Sequence, residues 1–169
     1  MIHIFLIRHG QTEGNVSQTL QGHTHGFLTE EGVKQAWGLR DKLSVEQIDY
    51  FFSSDLKRAY DTCRIVAEPH GKIIIASPLL RERDWGSLTG QYIPDIEDWE
   101  TAEGVEPIDS ILLRVGEFLS LLKKDYDGSR LLVAGHGVVN QAIEAIILGK
   151  PIDEIPIMNN AEVREFRCF

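Results

Sequence analysis

Two patterns alternate along this chain: short unbroken apolar runs, and longer segments whose apolar residues recur at helical spacing. Ile4-Phe5-Leu6-Ile7 is such a run and predicts a buried strand, because parallel strands covered on both faces are near-continuously apolar. Residues 10–28 are polar and glycine-containing and read as a loop. Thr29 then has the character of a helix N-cap, with Glu30 and Glu31 in the first turn of a helix reaching about Leu43. Tyr50-Phe51-Phe52 predicts a second strand, Leu56 to about Ala67 a helix that Pro69 stops, and Ile73-Ile74-Ile75 a third strand. The pattern weakens from Pro78 to Pro107, and residues 85–107 stand out as a short insertion rich in acids, with Trp85, Tyr92 and Trp99 near or among them. Ile108, Ile111, Leu112, Val115, Phe118, Leu119 and Leu122 restore the helical stripe. Asp127-Gly128 turns the chain into the run Leu131-Leu132-Val133-Ala134, and a further helix follows to Leu148, with Gly149 and Pro151 closing it. Val163 to Phe169 reads as a terminal strand at a sheet edge. Strand and helix alternate, which predicts an α/β three-layer sandwich with a mostly parallel central sheet and helices on both faces.

Bulk properties narrow this picture. A chain of 169 residues fits a single domain spanning 1–169, with a core that needs no disulfide or metal. The net charge of -9 argues against nucleic acid or an anionic membrane as the main partner, and makes any local arginine–histidine cluster notable. Cys63 and Cys168 are the only cysteines and have no metal-like spacing, so reduced thiols and a cytoplasmic location are expected. The first apolar run is too short for a membrane span.

The chemistry is concentrated at two strand ends. Both apolar runs at 4–7 and 131–134 lead into a His-Gly pair, His9-Gly10 and His136-Gly137, and ligands of such sheets bind beyond the carboxyl ends of the strands. Two imidazoles there, with Arg8 beside one of them, point to phosphate. The segment Arg8-His9-Gly10-Gln11-Thr12-Glu13-Gly14-Asn15 resembles the signature of the histidine phosphatase superfamily, the phosphoglycerate-mutase-like fold. Ser54-Asp55-Leu56-Lys57-Arg58-Ala59 is similar to the segment supplying that family's second arginine, Leu80 to Gly86 to the one supplying its acid, and Ala134-Gly135-His136-Gly137 to its second histidine. Four matches in order, over essentially the whole chain, are far more specific than any one of them.

The resemblance implies a phosphoryl transfer in which neutral His9 attacks phosphorus in line and a phosphohistidine divides the reaction in two. Its other ring nitrogen is then expected to donate to a backbone carbonyl. Arg8 and Arg58 supply planar forks for phosphate oxygens, a protonated His136 a further positive group, and Glu82 the proton for the leaving alkoxide, with Asp84 as the alternative acid. Thr12 and Asn15 match positions that hydrogen-bond the phosphate, although both could be turn formers; Gln21 and Gly22 match a substrate-side loop, and Arg83 could touch a substrate anion. The arginines do the charge work, so no metal or other cofactor is implied. His3, His23, His25 and His70 read as surface or loop residues, and Trp85, Tyr92 and Trp99 as packing.

Other positions depart from the mutases of that family. Ile93 falls where they carry a substrate-binding lysine and Val138 where they carry an asparagine, and their long insertion bearing further arginines is absent. No lysine or arginine occurs between Asp84 and Leu113, while Asp95, Glu97, Asp98, Glu100, Glu103 and Glu106 cluster there. These acids are either a flap over the pocket or a solvated face. The expectation is therefore a metal-independent phosphatase acting on a small-molecule phosphomonoester through phospho-His9. A phosphoglycerate-type mutase, a protein phosphohistidine phosphatase and a non-catalytic phosphate-binding module are the alternatives. The strand Val163–Phe169 could pair across a homodimer.

Overall fold

The apolar runs assemble into one five-stranded sheet. In the computed structural model, which describes residues 1–169, the strands are β1 (Ile2–Arg8), β2 (Tyr50–Ser54), β3 (Ile74–Ser77), β4 (Arg130–Gly135) and β5 (Val163–Cys168). Their order is β3-β2-β4-β1-β5. The first four are mutually parallel, and β5 runs antiparallel along β1 at the edge. The helices are α1 (Glu13–Ser17), α2 (Glu30–Leu43), α3 (Lys57–Ala67), α4 (Ile108–Asp125) and α5 (Gly137–Leu148).

Alternation along the strands explains why they had to be apolar throughout. Ile2, Ile4 and Leu6 of β1, with Leu131 and Val133 of β4, pack on one face against Ile111, Val115, Phe118 and Leu122 of α4 and Val139 and Ala142 of α5. Phe5 and Ile7, with Leu132 and Ala134, pack on the other against Leu39 and Leu43 of α2 and Cys63 and Val66 of α3. Phe51 and Phe52 of β2 divide between the two faces in the same way. Successive side chains point to opposite sides of a strand, so a strand buried on both sides has no polar position to spare.

The chain leaves β1 towards β2 through α2 on one face and leaves β4 towards β5 through α5 on the other. The loops after β1 and β4 therefore part between adjacent strands, which opens a crevice at their carboxyl ends. No helix is long and apolar enough to cross a membrane.

Three features differ from the sequence expectation. The polar stretch 10–28 contains α1, a helix of 5 residues with no buried side chain and hence no apolar stripe to betray it. Its signal was the spacing Thr12-x-x-Asn15, a reciprocal capping box at its N-terminus. β3 begins at Ile74 rather than Ile73 and runs on to Ser77. The 85–107 segment forms 3₁₀ turns and a Trp85–Val105 bridge around a small apolar cluster of Leu20, Trp85 and Leu88, flanked by Trp99.

Candidate active site

The register of β1 on β4 builds the core of the site. Arg8 pairs with Gly135, and the His9 amide donates to the Gly135 carbonyl at 3.3 Å, so the residues that follow the two strands come side by side. The His9 and His136 rings lie 5.3 Å apart, inclined at 61°. Gly10 is required next: a Cβ there would sit 2.4 Å from the Gly32 carbonyl oxygen of α2.

His9 is almost wholly buried, and its Nδ1 lies 2.7 Å from the Gly10 carbonyl oxygen. A carbonyl can only accept, so Nδ1 carries the proton and Nε2 keeps its lone pair. Burial, then the positive charges of Arg58 and Arg8, push the ring well below the ordinary imidazole range, against the opposite pull of the Gly10 bond. His9 is therefore neutral near pH 7, as a nitrogen nucleophile must be. Thr62 holds the turn by accepting from the Gly10 amide at 3.1 Å while donating to the Arg58 carbonyl at 2.8 Å. Asn160 donates to the His9 carbonyl at 3.2 Å.

Both expected arginines reach the crevice. Arg8 donates through Nη1 to the Met158 carbonyl. Arg58, 1% exposed, donates through Nη2 to the Gly22 carbonyl at 2.8 Å and through Nη1 to the carbonyls of Thr24 and His25, drawing the 22–25 loop over the site. Burial pushes the Arg58 guanidinium down to about 10; Glu82 opposes this and Arg8 adds to it. The group is still cationic at neutral pH. The Nε atoms of Arg8 and Arg58 and the Nδ1 of His136 are all buried without a hydrogen-bond partner. Buried donors are nearly always satisfied, so three orphans, two on arginines that line the crevice and one on the histidine packed against His9, mark a place built for an acceptor-rich, anionic group.

His136 caps α5 and is fully buried, with Nε2 2.8 Å from Ser54 Oγ. Ser54 Oγ also accepts from the Leu56 amide at 3.2 Å. His136 Nε2 is the only acceptor beside this hydroxyl, so the Ser54 proton goes there, and the neutral ring carries its own proton on the orphaned Nδ1. Burial, followed by the charges of Arg58, His9 and Arg8, pushes His136 well below the ordinary range. Against the expectation of a protonated His136, the ring of the free protein is neutral, and the two guanidiniums hold the positive charge.

Glu82 sits at the start of α5. Its Oε1 accepts from the amides of Arg83 (2.8 Å), Val138 (3.1 Å) and Val139 (3.1 Å), and its Oε2 from Val138 alone, at 3.1 Å. Oε2 is therefore the oxygen with a lone pair to spare for a proton. The Glu82 backbone is fixed in turn, its carbonyl accepting from His23 Nε2 at 2.9 Å and Arg114 Nη2 at 3.2 Å. Arg114 also binds the carbonyls of Leu79 and Arg81 at 2.8 Å and pairs with Glu106 at 2.7 Å. Asp84, the alternative acid, does not line the cavity.

The remaining expected residues divide. Asn15, Gln21 and Gly22 line the cavity of about 100 Å³ that Arg8, His9, Arg58 and Glu82 floor. Thr12 does not: it is fully buried, and its hydroxyl donates to Asn15 Oδ1 at 2.9 Å and accepts the Asn15 amide at 3.1 Å. It positions Asn15, whose Oδ1 is engaged and whose amide nitrogen is left for the cavity. Arg83 is also corrected. Its guanidinium pairs with Glu100 at 2.9 Å, binds the Glu106 carbonyl and lies 4.7 Å above the Trp85 ring, so it ties down the insertion and faces no substrate. Nor do the acids of 95–106 cover the pocket. Of the 85–107 insertion only Trp85 and Ile93 line the cavity, none of its acids does, and Glu100 and Glu106 are turned onto arginines.

Sequence reasoning missed Ser54, Thr62, His23, Arg114 and Asn160. Ser54 had a signal, since it ends β2 just as His9 and His136 follow β1 and β4. Arg114 had one in being a lone cation beside the buried stripe of α4.

A mostly parallel α/β sheet with histidines and arginines gathered at its switch point is suited to holding a phosphate group. The chain belongs to the histidine phosphatase superfamily (branch 1), whose family model matches residues 4–168. A probable phosphoglycerate mutase, GpmB, of Enterobacter sp. (strain 638) is 32% identical over 165 residues, covering 89% of this chain and 77% of its own. Phosphoglycerate mutase-like protein 4 of Arabidopsis thaliana is 30% identical, covering 98% and 79%. Among solved structures, YhfR of Bacillus stearothermophilus superposes with a TM-score of 0.89 at 25% identity, over 98% of this chain and 90% of its own. A mycobacterial glucosyl-3-phosphoglycerate phosphatase in complex with VO3 gives 0.87 at 26%, over 96% and 91%.

Proposed function

We propose that this protein is a phosphomonoesterase that transfers the phosphoryl group first to His9 and then to water. The carrying observation is the neutral, lone-pair-bearing Nε2 of His9 beside three buried donors without partners. In the first step a bond forms between His9 Nε2 and phosphorus as the ester P–O bond breaks, and the leaving oxygen takes a proton from Glu82. In the second, Glu82 takes a proton from water as the water oxygen bonds to phosphorus and the P–N bond breaks. Arg8, Arg58 and His136 Nδ1 bind the equatorial oxygens, where the charge of the transferring group resides. These guanidiniums supply the neutralisation that other phosphatases draw from metal ions.

The named relatives include both mutases and phosphatases. Water as acceptor is supported by the cavity's composition, because a mutase must retain an intermediate with a second anionic group and the cavity offers no cation beyond Arg8 and Arg58. The test is phosphate release from a panel of monoesters in excess chelator, with His9→Ala as control. Chelator-resistant turnover that falls by several orders of magnitude in His9→Ala is expected. Unchanged turnover in that variant, or isomer interconversion without free phosphate, would sink the proposal.

A further inference from the structure

The geometry points to a definite substrate class for this site: monoesters of uncharged alcohols that present apolar surface, with no second anionic group. This rests on the phosphomonoesterase reading. Two observations carry it, one negative and one positive.

The negative observation is a shortage of free cations. Arg8 and Arg58 are the only lysines or arginines lining the cavity, and both lie on its floor beside His9. The two loops that wall it, 10–28 and 84–107, contain neither residue type. The arginines on either side of Glu82 and the one bonded to its carbonyl are committed to carboxylates: Arg81 to Asp55 at 2.6 Å, Arg83 to Glu100 at 2.9 Å and Arg114 to Glu106 at 2.7 Å. A carboxylate or second phosphate on the substrate would lose water with only the neutral side chains of Asn15, Thr19 and Gln21, and no free cation, to replace it, and would meet the field of a chain of net charge -9.

The positive observation is what the walls offer instead. Leu20, Trp85 and Ile93 line the cavity beside the uncharged polar side chains of Asn15, Thr19 and Gln21. Ile157, 53% exposed, lies close to two of the lining residues: a Cβ placed on Gly137 would be 3.5 Å from Ile157 Cγ2, 3.4 Å from Glu82 Oε2 and 3.7 Å from the Arg8 guanidinium carbon. An aliphatic or aryl group leaving from phosphorus would pass between these side chains and exclude water from them, and burial of apolar area favours binding in proportion.

Benzyl phosphate and 3-phosphoglycerate both release a primary alkoxide, so comparing them separates recognition from leaving-group reactivity. Benzyl phosphate is expected to be preferred in kcat/KM by at least about tenfold, with the difference mainly in KM. Ile93→Lys supplies the missing cation at the wall and should bring the two esters to within a few-fold. Equal or better use of 3-phosphoglycerate by the wild type would overturn this inference and leave the phosphatase reading standing, as would an unchanged ratio in Ile93→Lys. Turnover of neither ester, nor of any other in the panel, would overturn both.

Discussion

Replacing Ser54 by alanine should separate the placement of a proton from the mere presence of a histidine. Ser54 Oγ stands between the Leu56 amide at 3.2 Å and His136 Nε2 at 2.8 Å, and both Ser54 and His136 are fully buried. The hydroxyl is the only hydrogen-bond partner of His136 Nε2, and it keeps the ring proton on Nδ1. Without it the neutral ring can carry its proton on Nε2 instead, presenting a lone pair where phosphate oxygens need a donor. Losing one preorganised donor to the transferring group costs about 10²–10³ in kcat when the loss is complete. Partial retention of the original tautomer sets the expected fall at about 10- to 10³-fold. The Leu56 amide left without its acceptor costs about 1–3 kcal/mol of stability, or roughly 2–12 °C for a domain of this size. Phosphate release at saturating ester gives kcat, thermal unfolding gives the stability change, and nitrogen-15 shifts of the His136 ring report the tautomer directly. Ser54→Thr keeps the hydroxyl and should recover most of the activity. A kcat within twofold of wild type alongside a lowered Tm would refute the reasoning and leave Ser54 as packing alone. A wild-type His136 ring protonated on Nε2 would refute it equally.

Two further outcomes follow from the site's electrostatics. His9 and His136 are depressed well below 6.5 by burial and by the guanidiniums, so the unfolded chain binds protons in weak acid that the folded chain does not. Stability should be complete above about pH 6.5 and fall as pH drops below it, by about 1.4 kcal/mol per pH unit for each ring; His70, also depressed, adds in the same sense. The lowered carboxyls of Asp55, Glu106 and Glu162 act only in stronger acid, so urea midpoints between pH 6.5 and 5 isolate the imidazoles, and a flat profile there would contradict neutral burial. Arg83→Met should lower Tm through the lost Glu100 and Glu106 contacts yet leave KM for a phosphomonoester within about twofold, because Arg83 does not face the cavity. A large rise in KM would restore it as a substrate ligand.

The parts of this molecule that could be read from the sequence are those where one residue type has one physical use. Unbroken runs such as Ile4–Ile7 and Leu131–Ala134 could only be strands buried twice, and the His-Gly pairs that follow them stand at the crevice because a switch point lies there. Residues with several possible uses misled. Arg83 is a cation beside the acid Glu82 and suits an anion ligand, but the side chain that decides its fate, Glu100, lies in a segment with no periodicity to place it. Thr12 and Asn15 fit a phosphate loop and a capping box equally well, and the fold uses Thr12 as the cap and Asn15 as the lining residue. The protonation of His136 depended on burial and on the distance to two guanidiniums, neither of which is a local property of the sequence.

The pairing of Arg8 with Gly135 has a consequence for how such a domain diversifies. His9 and His136 are spaced by a backbone ladder in the centre of the sheet, whereas the other walls of the cavity come from 10–28 and the segment beginning at Trp85, outside that ladder. The reactive geometry is thus insulated from the parts that choose the ester. Loops here can drift, lengthen or be exchanged while the distance between the two rings stays pinned, which lets one chemical engine accept new alcohols without being rebuilt.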